Sequence, residues 1–224
     1  MMTAAAASSP ELAVTALVVE DGRKRHVLGP CTVIWRHDRV VGVAASDVVR
    51  EVDPARLRIM TGLDGATTLP LEPPRMTRYE GSMQMRVRCD HWAARDVVPV
   101  HSRALAPPAA CDEGRATLVA IAPQGSGFRR VEIPVTVDGL TVGKRGGAGD
   151  DVDLVFAYVD APPPPDVLHD GAPLMVAHAA SRLYGRPAET LIRGIASTRR
   201  AAHPPGRPAA FAWLHMVELR ADPR

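Results

Sequence analysis

The stretch "VVGVAASDVV" (residues 40–49) puts a hydroxyl and a carboxyl group, Ser46 and Asp47, directly behind an apolar run that ends in two alanines. Asp96 opens a second apolar run, "DVVPV", and His169 and Asp170 stand side by side in "LHDGAPLMV". A hydroxyl, an imidazole and carboxylates are the group types of nucleophilic acyl transfer. In that chemistry the imidazole takes the nucleophile's proton and passes it to the leaving group, while a buried carboxylate orients the ring. Asp96, Asp170 and His169 are also metal-binding types, but their spacing fits no metal motif, so neither a metal nor another cofactor is expected. The other histidines read as solvated or hydrogen-bonded structural residues: His37 in a turn, His101 at the start of a connector, His178 on a surface loop.

Two further motifs carry less. "PQGSGFRR" (123–130) contains a Gly-x-Gly, yet it lacks the strand-then-helix setting of a phosphate loop and reads as a hairpin tip. "APPPPD" (161–166) reads as a stiff surface loop in the polyproline II conformation. The three cysteines, Cys31, Cys89 and Cys111, make no disulfide framework. None has the basic or helix-terminal surroundings of a reactive thiolate, and Cys31 reads as a buried structural thiol.

The elements that would hold these residues are mostly strands. Residues 12–19, 31–35 and 40–43 are short apolar runs, and 55–62 and 82–89 alternate apolar with polar residues, the period of a half-buried strand. The Pro/Ala-rich stretch 101–115 reads as a linker. Beyond it, "ATLVAIAP", "RRVEIPVTV", "DLVFAYV", "APLMVA" and "TLIRGIAS" are strands at regular spacing, the pattern of an all-β sandwich or barrel. Only 210–220, "AFAWLHMVELR", shows a helical stripe.

A chain of 224 residues, 46% hydrophobic and 23% charged, can bury a sizeable core. The net charge is +2, and no Lys/Arg block sits beside aromatic residues, so no nucleic-acid footprint is present. No apolar run approaches the ~20 residues of a membrane helix. The start, "MMTAAAASSP", lacks a basic segment followed by an apolar one, and a cytoplasmic location is expected.

Taken together, the motifs resemble those of the chymotrypsin/trypsin-like serine proteases. "CTVI" (31–34) is similar to that family's C-x-G-T-L-I strand, and "VGVAASD" (41–47) to V-L-T-A-A-H-C. "ARDVVPV" (94–100) is similar to the D-I-A-L-L segment, "HDGAPLMV" (169–176) to G-D-S-G-G-P-L-V, and "LIRGIAST" (191–198) to L-V-G-I-x-S-W-G. The alanines would let the catalytic turn pack closely between two barrels. The resemblance implies an all-β fold of two packed antiparallel six-stranded β-barrels with a short C-terminal helix. It divides the chain into a disordered tail (1–10), a first barrel (11–100), a linker (101–115), and a second barrel with the helix (116–224).

The resemblance also implies a degenerate site. Ser46 falls on the family's catalytic histidine, Asp96 on the triad aspartate and Asp170 on the nucleophilic serine. Leu168 falls on the oxyanion-hole glycine, and Gly171 on a conserved small position of the same loop. Ser197, Thr198 and Arg199 fall on the strand that pairs with substrate, and His169 borders the cleft. With the histidine and serine replaced, the resemblance implies a non-catalytic binding or regulatory module with an unidentified protein or peptide partner. Two alternatives stand beside it. One is a variant hydrolase using Ser46 or Asp170, with Ser46 and His169 as a rewired pair. The other is a structural assembly protein, because "DVLHDGAPLMVAHAASRLYGRP" resembles the helix of phage-connector adaptors and would then be helical over 170–186.

Overall fold

A computed structural model describes residues 9–22, 24–36, 39–72, 75–76, 82–86, 92, 96–101, 104–105, 113–143, 152–159, 163–178, 189–197 and 213–218. The chain enters through a single 3₁₀ turn, Pro10–Ala13, and then forms β1 (Val14–Asp21), β2 (Lys24–Arg36) and β3 (Arg39–Ala45). The turn between β1 and β2 holds Gly22 at φ +60°, a conformation that suits glycine. One turn of helix, α1 (Ser46–Val49), follows β3, and then come β4 (Leu57–Met60), β5 (Thr68–Pro70), β6 (Arg75–Met76), β7 (Ser82–Arg86) and β8 (Val100–His101).

These strands form one sheet in the order β5-β4-β1-β2-β3-β7-β6, with β8 added beside β2. The ladder is antiparallel except at β8, which runs parallel to β2 with Val100 opposite Ile34. Its two edges, β5 and β6, follow one another in the chain, with Pro70 and Arg75 separated by residues 71–74. A flat path of seven strands would hold its edges roughly 29 Å apart. Five chain steps reach at most about 18 Å, so the sheet is curled. It does not close: the expected first six-stranded barrel is, among the described residues, an open curled sheet.

The second half closes fully. β9 (Glu113–Gln124), β10 (Gly127–Gly143), β11 (Val152–Val159), β12 (Pro173–His178), β13 (Glu189–Ser197) and β14 (Trp213–Glu218) form a barrel in the order β10-β11-β14-β13-β12-β9. Its interior is built by strict alternation: Leu118, Ala120 and Ala122 on β9, Ile133, Val135 and Val137 on β10, Leu174 and Val176 on β12. The residues between them, Val119 and Ile121, face the other way and join Val14, Ile34, Val43 and Met60 of the first sheet in one shared cluster. β1 is therefore buried along Val14–Val18, packed on this shared cluster by one face and on Leu57, Ile59 and Cys31 by the other. That accounts for its continuous apolar run.

Two expectations are corrected here. Residues 213–218 are not helical: they form β14, which pairs with β11 (Val155 opposite Met216) and with β13 (Ile195 opposite Val217). The helical stripe lost because β11 and β13 each had an open edge, and filling both closes the barrel. Residues 173–178 of the proposed connector helix are strand β12, so the assembly-protein reading is dropped, and His178 ends a strand rather than sitting in a loop. "PQGSGFRR" is the β9–β10 hairpin, turning at Gly125 and Ser126. "APPPPD" ends in a turn, with the Val167 N–H donating to the Pro164 carbonyl at 3.0 Å.

Candidate functional site

Ser46 is the first residue of α1, one step past β3. The alternation of β3 ends in Ala44 and Ala45, both buried, and Val49 anchors the helical turn in the cluster that holds Cys31 and Ala44. The two alanines are mated to a loop of the second barrel. Gly171 lies at φ +96°, and its N–H donates to the Ala196 carbonyl at 2.8 Å. A Cβ on Gly171 would stand 2.7 Å from the Pro30 oxygen and 3.1 Å from the Ala45 nitrogen. Only glycine fits both the dihedral and the space. On the other side, a Cβ on Gly29 would meet the Asp170 carbonyl oxygen at 3.0 Å and a Val48 methyl at 3.6 Å. The backbone leading into Ser46 and the backbone of Asp170–Gly171 thus share one seam between the sheet and the barrel.

Asp96 stands four residues before β8. Its side chain is exposed and accepts from the Leu63 N–H at 3.3 Å, and its carbonyl accepts from Arg130 Nη2 at 2.6 Å. Arg130 also donates to the carbonyls of Leu12 (3.1 Å) and Val14 (2.9 Å), at the start of β1. Gly171 instead meets Pro30, whose partner on β1 is Ala16. The Asp96 carboxylate is exposed, whereas an orienting carboxylate is buried. Burial lowers the pKa of Arg130 while Asp96 and Glu11 oppose the change, and the guanidinium stays charged.

The loop before Gly171 is tied into the barrel. The Leu168 N–H donates to the Ile121 carbonyl at 2.8 Å, and the Ile121 N–H donates back to the Leu168 carbonyl at 3.1 Å, an isolated antiparallel bridge. The Ala172 N–H closes a turn onto the His169 carbonyl at 2.8 Å. His169 Nδ1 is buried and has no hydrogen-bond partner among the described residues. Leu168, His169 and Asp170 line a cleft of about 390 Å³ together with Leu28, Val48, Val52 and Val167, and Glu51 stands at its rim. Sequence reasoning found the loop but missed this opposite wall. Its signal was the spacing Val48, Glu51, Val52, one face of a helical turn directly after Ser46.

Of the remaining predicted residues, Ser197 ends β13 opposite His215 of β14. Thr198, Arg199, His37, Cys89 and Cys111 lie outside the described residues. Cys31 is a free buried thiol, and burial pushes its pKa from 9.0 up to about 12. Among the described residues no three His, Cys, Asp or Glu side chains converge.

No protein-family model matches the chain, and no curated protein does. Solved structures do. The chain is similar to the Rv3671c protease of M. tuberculosis in its active form, with 16% identity, a TM-score of 0.55, and coverage of 93% of this chain and 77% of that one. It is similar to the inactive form of an Rv3671c mutant, with 15% identity, a TM-score of 0.53, and coverage of 92% and 82%. It is also similar to kallikrein-related peptidase 10, with 14% identity, a TM-score of 0.55, and coverage of 96% and 93%. A curled β-sheet and a closed β-barrel, joined in this order and sharing one apolar seam, are arranged as in these proteases: the chain has the trypsin-like fold.

Proposed function

We propose that this chain is a trypsin-like protease homologue without hydrolytic machinery, a binding or regulatory module that works through protein or peptide contacts. The observation that carries this is the bridge between Leu168 and Ile121. An oxyanion hole needs backbone donors aimed at the reacting carbonyl. In the resemblance, Leu168 supplies one of them, but its N–H already donates to the Ile121 carbonyl on β9. The side chains agree with this. Ser46 cannot take up a proton near neutral pH, and Asp170 as a nucleophile would give a mixed anhydride that is itself high in energy. Losing a triad base or nucleophile costs about 10⁴–10⁶ in rate.

The test uses the purified chain with a fluorophosphonate probe and with a denatured protein substrate. The expected result is no added mass on the chain and no new peptides above a blank. A rewired hydrolase built on Ser46 and His169 predicts the opposite. Cleavage that disappears in Ser46→Ala or His169→Ala would overturn the non-catalytic reading.

A further inference from the structure

We propose that the cavity between the β1–β2 hairpin and the β9–β10 hairpin is a binding site for a small phosphate-bearing molecule. It measures about 550 Å³, within the size range of ligand pockets, about 300–1,000 Å³. Lys24, Arg25 and His26 line it from the sheet, and Gly125, Ser126 and Gly127 line it from the barrel. Val27, Met60 and Pro123 add apolar surface. None of these residues lines the cleft beside Asp170, so a ligand here is a further role, open to a hydrolase and to a binding module alike.

The sheet side carries surplus positive charge. Glu20, which also lines the cavity, is shared between two guanidinium groups, Arg25 at 3.4 Å and Arg58 at 3.4 Å, and accepts from the Thr68 hydroxyl at 3.0 Å. Lys24 and His26 are exposed, and neither has a hydrogen-bond or ion-pair partner among the described residues. Lys24, Arg25 and Arg58 set against Glu20 leave two positive charges in excess. A phosphate group of about −1.5 to −2 matches them, whereas a single carboxylate answers only half. Two further carboxylates are engaged and do not line the cavity: Asp21 pairs with Arg56 at 3.2 Å, and Asp64 accepts from the Ala66 N–H at 2.8 Å.

The barrel side offers backbone donors. Gln124 and Gly127 are the last ladder pair of the hairpin, which leaves the N–H groups of Gly125 and Ser126 outside the ladder. Gly125 stands at φ +59°, and successive N–H groups of such a turn form an anion-binding concavity. Phosphate oxygens only accept, so an ammonium and backbone N–H groups on facing walls are a fitting donor set. The Gly-x-Gly of "PQGSGFRR" has no helix behind it, and Lys24 and Arg25 supply the positive charge that a helix N-terminus would otherwise give.

The experiment titrates sodium pyrophosphate into the full ¹⁵N-labelled chain, beside sodium chloride at matched ionic strength. The expected result is saturable shifts of the Gly125, Ser126 and Gly127 amides with pyrophosphate only. Tm should rise by about 5–10 °C when pyrophosphate stands a hundredfold above its Kd. Lys24→Gln should weaken binding at least about tenfold, and Lys24→Arg less than about threefold, with the amides of the buried strands unmoved in both. A phosphoserine peptide, acetyl-Ala-phosphoSer-Ala-amide, tests the other source of the same group. Weaker binding than pyrophosphate supports a small-molecule ligand, and tighter binding would overturn that assignment. Shifts reproduced by chloride, no saturation at millimolar pyrophosphate, or an affinity unchanged in Lys24→Gln would overturn the site itself.

Discussion

Cys31 shows what a single residue can be held to. Its thiol sits at zero exposure among Leu17, Val33 and Ala44, and burial disfavours the thiolate more than the backbone contact at Val43 favours it. The folded pKa is therefore raised, from 9.0 to about 12. The fold prefers the neutral thiol, so this contribution to stability is complete below pH 9 and is lost as pH climbs from 9 towards 12. At pH 8 the thiolate fraction falls about a thousandfold relative to an open chain. Iodoacetamide should accordingly modify Cys31 in the native protein at least about a hundredfold more slowly than in urea, read by peptide mass spectrometry. Fast native labelling would refute the burial. That Cys31 is a buried thiol was expected from the resemblance, since Asp47 stands where its disulfide partner would be. The fate of Leu168 was not. Its side chain says nothing about where its N–H points, and the acceptor, Ile121, comes from a different strand 47 residues earlier. The bond from the Leu63 N–H to the Asp96 carboxylate was not legible either, since the two residues lie 33 apart in the chain.

At the scale of elements, the β9–β10 hairpin explains why "GSG" carries two glycines. Gly125 takes φ +59° in the turn, with nothing within 4 Å of where a Cβ would be. Gly127 has no such dihedral, but its Cβ would lie 1.9 Å from the Leu63 oxygen. The facing Gly65 is equally crowded, 2.1 Å from the Ser126 oxygen. The two turns are zipped by the Phe128 N–H donating to Leu63 (2.9 Å) and the Ser126 hydroxyl donating to Asp64 (2.8 Å). Arg25 adds a hydrogen bond to the Gly65 carbonyl. Gly125→Ala should cost about 1–2 kcal/mol, the left-handed penalty alone, while Gly127→Ala should cost more than about 3 kcal/mol because two backbones must part. Urea midpoints of both variants decide it, and equal losses would mean that the turns do not press on one another. The hairpin could be read from sequence, but the reason for its second glycine could not, since its neighbour is more than sixty residues distant. β14 failed in the opposite direction. Its local stripe was readable, and the open edges of β11 and β13 overrode it.

For the molecule as a whole, Arg130 and the shared apolar cluster decide whether the sheet and the barrel unfold together. One barrel side chain donates to three carbonyls, Leu12, Val14 and Asp96, that belong to the other half. Arg130→Ala removes three hydrogen bonds that join the halves, although the Leu12 carbonyl keeps the Val98 N–H at 2.9 Å, and should lower stability by about 2–4 kcal/mol. Arg130→Lys should recover less than half of that, because an ammonium lacks the planar fork that spans three carbonyls. Thermal unfolding of the wild type and both variants should show one transition each. Two transitions in the wild type would show that Val119, Ile121, Phe128 and their partners across the seam do not couple the halves. The all-β class, the order of the strands along the chain and the alternating interior of the second barrel were determined by the sequence itself. Side-chain period and turn chemistry are local properties, written within a few residues of one another. The curl of the first sheet, the strand at 213–218, the bond between the Leu63 N–H and the Asp96 carboxylate, and the engaged Leu168 N–H were decided only in the tertiary structure. Each depends on which backbone group meets which partner across long chain separations, and a backbone N–H or C=O has the same chemistry at every residue that carries one.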